Sequence, residues 1–127
     1  MMHPRPPESR EVSSVVVIGG GPIGILVAMV ARDAGGQLLG GLLGQIRVHW
    51  LHVDFLVAAP GHRRAGLGSA LMAQAEKLAR AQQCVGIWLD TFAFQAPGFY
   101  ERLGFTRCGS IARFYNGHDR HFYEKRI

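Results

Sequence analysis

The feature that most narrows what this chain can fold into is a change of hydrophobic period across a glycine-punctuated connection. From Trp50 to Ala58, strand-forming residues alternate, which predicts Leu51, Val53, Phe55 and Val57 on one face and His52, Asp54, Leu56 and Ala58 on the other. From Gly66 to about Gln83 the spacing becomes helical: Leu67, Leu71, Ala75, Leu78 and Ala79 form a stripe, with Ser69, Glu76, Arg80 and Gln83 opposite. A strand that enters a helix through such a loop is an anion cradle, because the first amides of a helix have no internal acceptor and sit at the positive end of its dipole. Gly66 and Gly68 remove side chains that would block close approach, and Arg63 and Arg64 add positive charge beside them.

The remaining elements fall around this unit. Ser14 to Ile18 is a β-branched run stopped by glycines. Ile25 to Arg32 and Gln37-Leu38-Leu39 flank the turn Asp33-Ala34-Gly35-Gly36, a hairpin pattern. Gly86 to Thr91 is a short strand, followed by a helix from near Gln95 to Leu103 that Gly104 ends. Phe105 to Ile111 and His121 to Ile127 form a closing pair of strands. At 127 residues the chain accommodates one domain, placed at 14–127 after a flexible tail at 1–13.

The net charge of +5 favours anionic partners, but the arginines are scattered rather than gathered into a run, so a nucleic-acid partner is not expected. The apolar stretch from Val15 to Ala31 is broken by Gly19-Gly20-Gly21-Pro22 and Gly24, where a membrane helix needs about 20 apolar residues. The expectation is a cytoplasmic protein with no membrane partner. Cys84 and Cys108 lack partners at zinc-ligand spacing; both are read as buried small hydrophobes, and no metal is expected.

The segment from Asp54 through Arg63-Arg64-Ala65-Gly66-Leu67-Gly68-Ser69 resembles the cofactor motif of the GNAT acetyltransferases, Q/R-x-x-G-x-G/A after a strand, with Arg63, Gly66 and Gly68 at its fixed positions. Downstream, Gln95-Ala96-Pro97-Gly98-Phe99-Tyr100-Glu101-Arg102-Leu103-Gly104-Phe105 resembles the family's second motif, A-x-x-x-Y-x-x-x-G-F. The likeness covers roughly residues 25 to 127. It implies an α/β (α+β) fold: a mixed, mostly antiparallel sheet with helices on both faces, opened between the strands at 50–58 and 86–91. It implies acetyl-CoA as cosubstrate, held by the loop from Arg63 to Ser69 and by backbone groups of Leu56, Val57 and Ala58. Family members normally place two helices between the first two strands; here only a short glycine loop stands there, so those helices are shortened or absent. A homodimer would cover the surface they leave. An Asn before the second motif is replaced by Ala93, and Gln95 is the candidate substitute for its cofactor contact.

A competing pattern, Gly19-Gly20-Gly21-Pro22-Ile23-Gly24 after a strand, looks like the opening of a dinucleotide-binding domain. That fold needs an acidic residue about 20 positions on, and none occurs between Asp33 and Asp54.

The implied reaction is direct attack of a primary amine, on a small molecule or a peptide, upon the thioester. Tyr100 matches the family tyrosine that protonates the leaving thiolate and is read in that role, the alternative being an aromatic packed on its helix. His52 and Asp54 share a strand face leading to the site and are candidates for the amine's proton; taken alone, each is read as a solvated or structural group. Cys84 is not favoured as a nucleophile. The alternatives are an acyl-CoA-sensing module without catalysis and, further off, an oxidoreductase fragment.

Overall fold

The computed structural model describes residues 12–18 as backbone, and residues 24–59, 66–92 and 98–127 with their side chains. The glycine run at 19–23, Arg63, Arg64, Ala65 and Gln95, and most of the expected tail lie outside the described residues. Seven strands form one sheet: β1 (Val12–Ile18), β2 (Ile25–Arg32), β3 (Leu38–Arg47), β4 (Trp50–Ala58), β5 (Gly86–Phe92), β6 (Thr106–Tyr115) and β7 (His118–Arg126). Among the described residues two helices interrupt them, α1 (Leu67–Ala81) between β4 and β5 and α2 (Phe99–Arg102) between β5 and β6. The order across the sheet is β1-β2-β3-β4-β5-β7-β6, and β4 with β5 is the one parallel pair. α1 is the crossover that a parallel pair requires.

The core lies between one sheet face and α1. Val27, Met29, Leu42, Leu51, Val53, Ile87, Leu89 and Tyr123 on the strands close over Leu67, Leu71, Met72, Ala75 and Ala79 of the helix. Burying a leucine or methionine side chain in this way contributes about 1.5–3 kcal/mol. Lys125 on β7 reaches Glu76 on α1 at 2.7 Å, and Arg80 reaches it from the next turn at 3.2 Å, so the helix is pinned at its polar flank as well.

Three expectations are corrected. Phe99, Tyr100 and Leu103 pack against the same core as α1, so among the described residues the helices expected on both faces are found on one. Within the described residues the second helix is the single turn Phe99–Arg102, which Gly98 caps in the left-handed conformation and which ends before Leu103; Gln95, where the helix was expected to begin, lies outside them. Cys84 is buried as expected, but Cys108 is exposed because it lies on β6, an edge strand exposed along its whole length.

The alternation of β4 also breaks. Leu43 on β3 pairs with Phe55, whereas the next residue, Gly44, pairs with Val53, leaving Asp54 as the extra residue of a β-bulge. Leu51 and Val53 are buried before the bulge; after it Phe55 and Val57 turn outward, 63% and 59% exposed, while Leu56 and Ala58 pack toward the core. A Cβ on Gly44 would stand 2.5 Å from the carbonyl oxygen of His52, so the bulge rests on a glycine opposite it.

Candidate active site

The parallel pair of β4 and β5 is short. Trp50 to Val53 pair with Gly86 to Leu89, and past the bulge the two strands no longer pair. Into this opening fits a cleft of about 450 Å³, lined among others by His52, Asp54, Leu56, Asp90, Tyr100 and Arg120. Beyond Val53 the β5-facing backbone edge of β4, including Leu56, Val57 and Ala58, has no strand partner and is available to an extended ligand.

The N-terminus of α1 is the candidate anion-holding end of the site. Gly66 caps it in the left-handed conformation (φ 80°), with no side chain bonded to the cap and no acid in the first turn, so the first-turn amides and the positive dipole end are uncompensated. The side chain of Leu67 is buried in the core, which leaves its amide as its possible contribution. A Cβ on Gly68 would lie 3.1 Å from the ring of Phe99, so this glycine both opens the cradle and seats α2 against α1. A pyrophosphate fits such a donor set.

Tyr100 is brought to the opposite wall of the cleft. Its ring meets Phe99 and Phe105 edge to face, with centroids 4.9 and 5.9 Å away, and tilts against Tyr123 at 5.9 Å. Burial, helped by the nearby Asp90 carboxylate, pushes its phenol above the ordinary range, so it keeps its proton at neutral pH. Both sequence readings of Tyr100, cleft group and packed aromatic, describe the same side chain.

His52 and Asp54 do come together: Nδ1 of the imidazole is 3.0 Å from the Asp54 carboxylate. Its Nε2 faces Asp90 at 3.4 Å, and its ring stacks on Trp88 with centroids 3.7 Å apart and planes 6° from parallel. Asp90 in turn accepts from the guanidinium of Arg120 on β7. The second oxygen of Asp54 is 3.4 Å from the side-chain amide of Gln45, and 31% of the Asp54 side chain remains exposed.

Asp90, Trp88 and Arg120 were not singled out as site residues in the sequence. The available signal was period two on β5, which puts Trp88 and Asp90 on one face; nothing in the sequence pairs that face with His52 or with a residue thirty positions later. The competing dinucleotide pattern fails on topology, because Ile25–Arg32 is a strand antiparallel to β1 where that fold requires a helix. No helix among the described residues is long and apolar enough to cross a membrane.

Comparison with known proteins agrees with this architecture. A family model for the acetyltransferase (GNAT) family matches residues 7–105. A blasticidin-S acetyltransferase of Streptomyces morookaense is 40% identical over 124 residues, covering 97% of this chain and 90% of that protein. The crystal structure of an acetyltransferase from Bacillus cereus superposes with a TM-score of 0.77 at 37% identity, covering 80% of this chain and 73% of that one. A structure from Bacillus anthracis in complex with acetyl coenzyme A shares the fold at 21% identity and a TM-score of 0.73, covering 80% of this chain and 62% of that one.

Proposed function

We infer the acceptor and the proton path from one premise: the chain belongs to the GNAT family of acetyltransferases, enzymes whose acetyl donor is acetyl-CoA. We propose that the acceptor is a primary amine on a small cationic molecule. The observation that carries this reading is a cleft with carboxylates along one wall, Asp54 and Asp90, and a proton-bearing phenol, Tyr100, on the other. Asp90 is paired with the Arg120 guanidinium and 16% exposed, whereas Asp54, beside His52 and Gln45, is 31% exposed and is the anion that an incoming ammonium group would meet. The likeness to a blasticidin-S acetyltransferase over nearly the whole chain supports a small-molecule acceptor.

Acetyl-CoA supplies the thioester whose C–S bond breaks as the amine nitrogen forms the new C–N bond, leaving a thiolate that needs a proton. The first-turn amides of α1 at Leu67, Gly68 and Ser69 and the loop with Arg63, Arg64 and Ala65 would hold its pyrophosphate. The free edge of β4 at Leu56, Val57 and Ala58 would align its arm. Tyr100 gives its hydroxyl proton to the thiolate and recovers one from solvent. Asp54, oriented by His52, draws in the ammonium form and takes the proton that frees the nitrogen lone pair, directly or through a water. The second N–H proton, lost once the C–N bond has formed, passes to solvent and balances the one that Tyr100 recovers. The bulge points the Asp54 carboxylate into the opening. His52 is a positioning residue in this scheme, because both its nitrogens are engaged by carboxylates.

The test is release of free thiol from acetyl-CoA against a panel of acceptors: blasticidin S, polyamines, aminoglycosides and free amino acids. Faster release with at least one amine, and an acetylated product of the matching mass, is the expected result. Tight binding of acetyl-CoA with no amine accelerating release would replace this reading by a sensing module.

A further inference from the structure

The sheet face opposite α1 carries a second concavity that the reaction scheme does not use. It is an apolar groove of about 410 Å³ across β2, β3 and β4. Its shape follows from the register. Val30, Gly41 and Val57 are consecutive Cα partners in one row, and Ala28, Leu43 and Phe55 in the next. With no side chain at Gly41 the first row is open in the middle, between two valines. Leu38, Leu43, Phe55 and Val57 are each more than half exposed along it. So much exposed apolar surface in one place marks a binding surface.

The groove is continuous with the cleft. Phe55 and Val57 line both, because the bulge at Asp54 turns them outward at the mouth of the β4–β5 opening. An acceptor whose amine lies at Asp54 therefore has the carboxylate at one end and an uninterrupted apolar wall leading away from it. We propose that the groove is an acceptor subsite, and that the enzyme prefers amphipathic primary amines carrying an aliphatic or aryl segment next to the amino group. The segment lies along Phe55, Leu43 and Val57, across Gly41, toward Leu38. This deepens the N-acetyltransferase reading and rests on it.

The experiment is kcat/KM for thiol release with n-propylamine through n-octylamine and with phenylalkylamines of matching length. Each methylene buried in the groove should raise kcat/KM about two- to fourfold until the groove is filled, the range expected for partial to full removal of a CH₂ from water. Leu43→Gln and Val30→Gln replace groove residues outside the catalytic and cofactor-binding set. Each should flatten the dependence on chain length, lowering kcat/KM for octylamine more than for propylamine. A flat or falling series, with blasticidin S or propylamine still acetylated, overturns the subsite and leaves the parent reading standing. A flat series together with a dimer in light scattering that Leu43→Gln dissociates overturns it in favour of a second copy on this face. If acetyl-CoA binds and no amine of any kind is acetylated, both readings fall.

Discussion

The Tyr100 side chain packs through its ring, and in the proposed scheme its hydroxyl protonates the leaving thiolate. Tyr100→Phe keeps the edge-to-face contacts with Phe99 and Phe105, so the melting temperature and acetyl-CoA affinity should change little. Turnover should fall by about 10² to 10⁴, the usual worth of general acid catalysis. The pH dependence follows from the sign of the shift. A donor whose pKa is raised by burial is active while protonated, so kcat holds through the ordinary phenol range and falls only above it. The variant should lack that alkaline limb, and unchanged pre-steady-state turnover would remove Tyr100 from the mechanism. Gly68 makes a second test. Gly68→Glu puts a negative charge into the cradle and a side chain against Phe99, so CoA binding measured by calorimetry should be lost. Gly68→Ala, which asks the Phe99 ring to move by a few tenths of an ångström, should keep binding. Equal affinity in both variants would place the pyrophosphate elsewhere.

At the scale of elements, the bulge in β4 does most to build the site. It ends the pairing with β5, aims Asp54 at the opening and turns Phe55 and Val57 outward. Gly44 supports it by leaving room for the His52 carbonyl. Gly44→Ala should destabilise by about 1–3 kcal/mol, as overpacking against backbone does, and should raise the KM for the acceptor more than that for acetyl-CoA. Thermal melts and the two KM values read this directly; an unaltered melt would mean the bulge tolerates a methyl group. The tie between α1 and β7 predicts an acid limb in stability. The hydrogen bond from Lys125, followed by that from Arg80, holds the Glu76 carboxyl below its ordinary pKa. Its contribution is therefore present above the unfolded value and is lost as pH falls through the depressed one. The pair is part-exposed, so Glu76→Gln should cost no more than about 1 kcal/mol at neutral pH, with a shallower acid limb in denaturant melts. The existence and order of the elements could be read in the sequence, because period and turn residues are local signals. The bulge could not: it is one residue of mismatch between two strands, and each strand alone still alternates.

For the whole molecule, the donor-binding surface is assembled from elements that meet only in the folded state, so a ligand for it stabilises by mass action. Acetyl-CoA at 100 times its Kd should add about 2.7 kcal/mol and raise the melting temperature, whereas NADH and FAD should leave it unchanged. A flavin-coloured protein on purification would contradict this. The apolar groove on the bare sheet face and the acidic mouth of the cleft are likewise properties of the assembled sheet. Leu38, Leu43 and Phe55 come from three separate stretches of sequence whose adjacency is set by register alone.

By itself the sequence determined the strand before and the helix after Gly66, the glycines at the start of that helix, the closing strands and the tyrosine that lines the cleft, since each is written in spacing and residue type over a few turns. Only the tertiary structure decided which groups share the chemistry. His52 lies between Asp54 and Asp90 and over Trp88 because β4 and β5 run parallel in that register, and Arg120 reaches Asp90 because β7 pairs antiparallel on the other side. Cross-strand contacts depend on register, and register is a property of the sheet as a whole: a shift of one residue would turn each of these side chains to the opposite face.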